Sequence, residues 1–353
     1  MAGGTGTRFW PLSKIEKPKQ FLDILGTGRT LLQQTFDRFA EICPKENIYI
    51  VTNEIYIELT KEQLPEISEN QILAEPQKRN TAPCIAYSNL KIKAVNPDAL
   101  IVTAPSDHLI LNQTNFTKVI KECFAFAEKT DSLLTLGINP SRPETGYGYI
   151  QKSDKNPEGF ENIFKVKSFT EKPDRQTAEI FLKSGEFLWN SGIFIWSLKS
   201  INNAFKTYLP DIYKLFSDTS ALSSPVAERL FTNEAYSECE SISIDNGIME
   251  HADNVYVMPA DFGWSDLGTW DSLYENSRKN NDKNVINSDK VLCYNTKHSI
   301  IHVPEDKIVV AEGLENYIIA ESGNTLLICK RDNEKKIREF VENVEEQFGE
   351  DYI

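Results

Sequence analysis

Ala99-Leu100-Ile101-Val102-Thr103-Ala104-Pro105-Ser106-Asp107 is the stretch on which the fold turns. Its apolar, β-branched opening reads as the clearest strand of the chain, because it is short, continuous and bounded by a proline. The strand runs straight into Pro105-Ser106-Asp107, which sets a carboxylate at the carboxyl end of a central strand. Open α/β sheets bind their ligands at that end.

Working outward, strands and helices alternate. Leu32, Phe36, Phe39 and Cys43 fall at helical spacing after Arg29-Thr30, and Ile48-Tyr49-Ile50-Val51 then reads as a short strand. A helix is expected over Thr81–Val95. Further strands are expected near Leu133–Leu136, Ile163–Phe169, Ser191–Trp196 and Asn254–Met258, with helices near Arg175–Ser184 and Leu267–Asn276. This is the pattern of an open sheet covered on both faces. After about Asn280 the chain changes to short β-rich runs broken by Asn, Asp, Gly and Pro. It ends in a helical stripe of Ile337, Phe340, Val341, Val344 and Phe348 among charges. The expected division is a catalytic domain over 1–280 and a small β domain with a terminal helix over 281–353.

A chain of 353 residues can bury a large core. Its net charge of −14 argues against non-specific nucleic-acid binding. Cys43, Cys84, Cys123, Cys239, Cys293 and Cys329 form no CxxC pair, so buried reduced thiols are expected instead of disulfides or zinc. The sequence has no signal peptide and no long apolar run, which points to the cytoplasm and away from a membrane.

The amino terminus carries the chemistry. Gly3-Gly4-Thr5-Gly6-Thr7-Arg8 precedes Trp10-Pro11-Leu12-Ser13 and Pro18-Lys19-Gln20-Phe21. Glycines let backbone N–H groups converge on an anion. Arg8 can grip phosphate oxygens through a planar fork, and Lys19 is a point charge on a Pro-stiffened turn. A P-loop would need Gly-Lys-Ser or Gly-Lys-Thr, which is missing, and the dinucleotide fingerprint fails at Phe9. Taken alone, the glycine run also fits a mobile terminus; Arg8, Trp10 and the Pro-Lys-Gln triplet argue against that.

With these motifs the chain resembles the sugar-nucleotide pyrophosphorylases, most closely the branch that transfers guanylyl groups to mannose 1-phosphate. Further matching motifs occur in family order: Asn80-Thr81-Ala82-Pro83, Pro105-Ser106-Asp107-His108, Gly146-Tyr147-Gly148-Tyr149, Phe169-Thr170-Glu171-Lys172-Pro173, Trp189-Asn190-Ser191-Gly192, Ser243-Ile244-Asp245 and Gly263-Trp264-Ser265-Asp266-Leu267-Gly268. The resemblance implies an open, mixed, doubly wound Rossmann-like sheet and a C-terminal part like a left-handed β-helix, although no clean hexapeptide repeat is visible. It also implies a short form without the isomerase domain appended in longer relatives.

For function, the resemblance implies GTP and mannose 1-phosphate as substrates and Mg²⁺ as cofactor. Because the attacking phosphate is already anionic, no general base is needed and catalysis reduces to alignment and charge neutralisation. Arg8, Lys19 and Asp107 would be catalytic, with Asp107 and Asp266 holding the metal. Gly3, Gly4, Thr5, Gly6, Thr7, Arg8, Asn80, Thr81 and Ser106 would bind nucleotide. Gly146, Glu171, Lys172, Asn190 and Asp245 would bind the sugar phosphate, Gly146 by letting the backbone approach. Each has a blander reading: Asp107 and Asn80 as helix N-caps, and Glu171-Lys172-Pro173 as a solvated turn opening a helix. His108 is a neighbour of the site and no ligand. Asn246 stands where relatives have an aromatic residue.

Several alternatives stay open. One is guanylyl transfer to another sugar 1-phosphate, such as a manno-heptose; another is a non-catalytic, sugar-nucleotide-binding regulator. A homodimer also remains open. Relatives place a buried strand before the glycine loop, whereas only Met1 and Ala2 precede Gly3 here. Leaving that strand out of a sheet would cost about 1–3 kcal/mol for each buried unpaired backbone group. A start truncated by one strand is therefore expected.

Overall fold

The computed structural model describes residues 1–4 and 6–353. Thr5 lies outside the described residues, as does the side chain of Thr7. The chain forms two compact units that follow space more than chain order. The first comprises Met1–Gly3, Arg38–Pro105 and Ile110–Trp264, and the second Gly4–Asp37, Ser106–Leu109 and Ser265–Ile353.

The first unit is built on a six-stranded mixed sheet in the order Leu100–Thr103, Phe187–Ser197, Leu133–Ile138, Val255–Ala260, Phe164–Thr170, Tyr149–Lys152. Leu133–Ile138 and Val255–Ala260 run parallel, while the long strand Phe187–Ser197 is antiparallel to both its neighbours. Alternation puts successive side chains on opposite faces, and both faces are covered. Val255 joins Ile201, Phe205 and Tyr236 in one buried cluster. On the other face, Tyr256 meets Phe126 edge-on at 5.1 Å, and Met258 Sδ lies 3.4 Å from Cys123 Sγ of the helix Gln113–Lys129.

A separate parallel pair, Ile50–Asn53 with Ile72–Glu75, also belongs to this unit. Leu100–Thr103 therefore ends the six-stranded order, where a central position was expected from its apolar run. Of its four residues only Ile101 is buried. Ala2 N–H donates to Val51 O at 2.7 Å, Thr52 Oγ1 donates to Ala2 O at 3.0 Å, and the Met1 ammonium donates to Ala104 O at 2.9 Å. Two residues thus bond to the edges of both sheets.

In the second unit, Val285–Ile286, Ile300–His302 and Tyr317–Ser322 form a parallel ladder to which Thr325–Lys330 adds antiparallel. Val291–Tyr294 pairs in parallel with Val309–Glu312. Val291 lies opposite Val309, Ile300 opposite Ile318 and Lys297 opposite Glu315, so the chain returns after 18 residues in these pairs, whereas Val285 opposite Ile300 returns after 15. That regularity is invisible in the sequence because loop residues interrupt the apolar positions. The terminal helix Ile337–Phe348 buries Ile337 and Val341 in a core with Phe9, Trp10, Trp270 and Ile353.

The six cysteines are unpaired. Four are buried, but Cys43 and Cys293 are only half-buried, against expectation. Among the described residues no helix is long and apolar enough to cross a membrane.

Candidate active site

In the second unit, Gly6, Arg8, Lys19, Asp107 and Asp266 line one cavity of about 290 Å³, together with Phe9, His108, Gly268 and Arg338. Motifs separated by more than 200 residues thus converge. Gly6 has φ +51°, and a Cβ there would stand 2.9 Å from Lys19 Cβ and 3.1 Å from Lys19 N. Only glycine lets the two segments approach so closely. Side chains fix the loop from behind: Ser13 Oγ donates to Gly6 O, and Gln20 Nε2 donates to Gly4 O at 2.8 Å.

Lys19 is buried and fully engaged. Its ammonium meets Asp107 Oδ2 at 2.9 Å, Asp266 O at 2.6 Å and Leu267 O at 3.2 Å. An ammonium has three donors and all three are used. Beside its expected role toward phosphate charge, Lys19 ties the Asp107 turn to the Asp266-Leu267 turn. Leu267 sits at φ +44°, a costly conformation for a branched residue, within that clamp. Burial pushes the Asp107 carboxyl up, but Lys19 and His108 beside it outweigh that and hold it below the ordinary carboxylate value. His108 Nε2 is 3.8 Å from Asp107 Oδ1.

Arg8 is exposed to the cavity, with a single long bond from Nη1 to Gly268 O at 3.5 Å. A Cβ at Gly268 would lie 2.5 Å from Asp266 Oδ2 and 3.3 Å from that Nη1, so glycine again permits the packing. Ser106 Oγ is buried without a partner.

No group of three or more His, Cys, Asp or Glu side chains that could hold a metal occurs among the described residues. Asp107 and Asp266 supply an all-oxygen pair instead. That donor set suits Mg²⁺, which takes one or two protein carboxylates and fills its other positions with phosphate and water.

The expected sugar-binding residues gather in the first unit. Asn190 Nδ2 donates to Asp245 Oδ1 at 2.7 Å, and Asn190 Oδ1 accepts from Thr135 Oγ1 at 3.0 Å. Glu171 Oε1 pairs with Lys172 Nζ at 2.9 Å, and its Oε2 is buried without a hydrogen bond. Burial, then the neighbouring Glu171 charge, pushes the Asp245 carboxyl up to about 6. Asp245 opens a π-helical turn, Asp245–Met249, of the kind often found at functional sites.

Within the protein, the position whose packing requires glycine here is Gly148. A Cβ at Gly148 would stand 2.4 Å from Glu171 Oε2 and 3.3 Å from Asn190 Cβ, whereas at Gly146 the nearest atom is Glu144 Oε1 at 3.4 Å. Gly146 N–H donates to that same glutamate oxygen.

Asn80 and Thr81 act as structural connectors. Asn80, at φ 68°, accepts the Thr81 N–H at 2.9 Å, and Thr81 Oγ1 accepts the Ile244 N–H at 2.8 Å. Both readings of Asn80, N-cap and site residue, are compatible with its strained backbone. The sequence places Glu75 in the segment 75–83, near which the base is expected to bind, but gives it no role of its own; it is the last residue of its strand. It is buried, accepts from Tyr236 OH at 3.0 Å and is pushed by burial up to about 7. A Cβ on Gly3 would lie 3.2 Å from its Oε2. Its position at a strand's carboxyl end was the available signal. Arg338 was missed, since nothing in a helical stripe tells which flank of the stripe meets a cavity.

The nucleotidyl transferase family matches residues 1–283. A mannose-1-phosphate guanylyltransferase of Escherichia coli is 34% identical over 98% of this chain and 75% of its own length. One from Salmonella typhimurium is 35% identical over 100% of this chain and 73% of its own. A crystal structure from Thermus thermophilus, described as a mannose-1-phosphate geranyltransferase, superposes with a TM-score of 0.85 at 28% identity and covers 98% of both chains.

Proposed function

The chain belongs to the nucleotidyl transferase family, and from that premise we propose that it transfers GMP from GTP to α-D-mannose 1-phosphate, giving GDP-mannose and pyrophosphate. The observation that carries this reading is the single cavity shared by Gly6, Arg8, Lys19, Asp107 and Asp266. A phosphate oxygen of the sugar phosphate attacks the α-phosphorus, and the α–β anhydride bond breaks with its electron pair going to pyrophosphate. The nucleophile is anionic at neutral pH, so no side chain has to remove a proton.

Each residue then has an electrostatic or positioning task. Arg8 and the loop N–H groups bind triphosphate oxygens. Asp107 and Asp266 would hold Mg²⁺, which when bound neutralises phosphate charge. Lys19 keeps both aspartate turns in register before any ligand arrives, which is preorganisation in the strict sense of avoiding rearrangement during reaction. Lys172 pairs with the sugar phosphate, while Glu171, Asn190 and Asp245 bind hydroxyls. Glu75 accepts from the guanine amino group, a donor that adenine lacks at that position. The 18-residue return of two of the three parallel strand pairs supports a β-helical C-terminal part of three six-residue rungs per turn.

The test is pyrophosphate release measured with four nucleoside triphosphates against mannose, glucose and manno-heptose 1-phosphates. Highest kcat/KM with GTP and mannose 1-phosphate is expected. Preference for a heptose would keep the chemistry and change the acceptor, and no release with any pair would leave a binding role.

A further inference from the structure

The cavity has one cation that no motif accounts for. Arg338, on the second residue of the terminal helix, lines it beside Arg8, yet it makes no hydrogen bond or ion pair to any described residue. Its neighbour Ile337 is 1% exposed and fixes the helix on the core formed by Phe9, Trp10 and Trp270, so the position of residue 338 is imposed by packing. The helix is also tethered at its start. Arg331 bonds Asp271 and His298 O, and the Asp271 N–H donates to Glu334 at 3.0 Å.

Charge makes this arrangement informative. Of the cavity's cations, Lys19 is consumed by Asp107 and two carbonyls, whereas the two guanidiniums have no carboxylate partner. Two unpaired arginines lining one cavity repel each other unless an anion lies between them, and a guanidinium fork matches phosphate oxygens. The cavity, at about 290 Å³, lies at the small end of ligand sites and suits a phosphate group better than a whole sugar nucleotide.

We propose that Arg338 binds the β- and γ-phosphates of the triphosphate, and therefore the departing pyrophosphate. This rests on the nucleotidyl transfer reading above. The terminal helix thus supplies a ligand-binding residue in addition to closing the core.

The probe is inorganic pyrophosphate. Its binding to the full chain is measured by calorimetry, and its KM is measured in the reverse reaction with GDP-mannose, for wild type, Arg338→Gln, Arg338→Lys and Lys335→Gln. Loss of a charge-assisted contact should weaken pyrophosphate about 10–100-fold in Arg338→Gln, with partial recovery in Arg338→Lys. KM for GDP-mannose and melting temperature should stay within error, since Arg338 has no partner to lose. Lys335→Gln removes the same charge from the turn just before the helix, outside the cavity, and should leave pyrophosphate affinity unchanged. Affinity within twofold of wild type in Arg338→Gln, or an equal loss in Lys335→Gln, overturns the proposal. If wild type binds pyrophosphate through Arg338 but transfers no nucleotide, the functional reading fails and this one survives.

Discussion

At the scale of single residues, the lysine and the glycines carry separable tasks. Lys19→Ala removes the bridge between two turns and should lower kcat about 10²–10³-fold, the effect of losing one preorganised electrostatic group. Lys19→Arg should recover little. Its planar fork cannot meet three acceptors arranged around a point charge. An arginine variant with near-normal turnover would show instead that the charge acts on phosphate directly. Gly148→Ala should leave the fold intact, because the clash is with the movable end of Glu171. It should raise KM for the sugar phosphate severalfold while KM for GTP holds. A melting point lowered by many degrees with unchanged KM would assign Gly148 to the fold instead.

At the scale of elements, local pattern was readable and pairing was not. The helices Thr81–Val95 and Arg175–Ser184 lie where the sequence puts them, because each has a polar cap, Asn80 and Asp174, at its first turn. The helix expected from Leu267 begins only at Trp270, since Leu267 is held at positive φ and Thr269 supplies the cap. Strand order escaped notice because it depends on partners distant in sequence. The antiparallel strand Phe187–Ser197 between two others has no local signature. Site residues carried by motifs, such as Asp107 and Asp266, were legible, whereas Glu75 and Arg338 depend on which neighbours they meet in space. The strand Leu133–Ile138 offers an element-scale prediction. Gly137 sits at an irregularity in its pairing with Phe187–Ser197, and a Cβ there would lie 2.6 Å from Leu188 Cδ1 and 2.7 Å from Val257 Cγ2. Overpacking both neighbours in Gly137→Ala should cost about 1–3 kcal/mol in denaturant unfolding, and a loss below half that would mean the core yields easily.

At the scale of the whole molecule, two buried carboxyls set how stability responds to pH. Burial pushes Glu75 from 4.5 to about 7, and burial with the Glu171 charge pushes Asp245 from 3.8 to about 6. Below about 3 both are protonated in folded and unfolded chains alike. As pH rises, the unfolded chain ionises first, so their stabilising contribution is lost progressively and is gone above about 7. The melting temperature should therefore fall between about pH 4 and 7, and the double variant Glu75→Gln, Asp245→Asn should flatten that fall; an unchanged slope would assign it to other groups. Chain order has its own consequence. Trp10 Nε1 donates to Tyr352 O at 2.7 Å, and Ile15 N–H donates to Ile353 O. A ribosome working at about 5–20 residues per second finishes those acceptors roughly 20–70 s after the glycine loop has emerged. Throughout that interval the nascent chain holds every phosphate-loop residue but lacks the Asp266 turn and Arg338 for most of it. A chain interrupted before Tyr352 would therefore leave the Trp10 indole N–H without that acceptor.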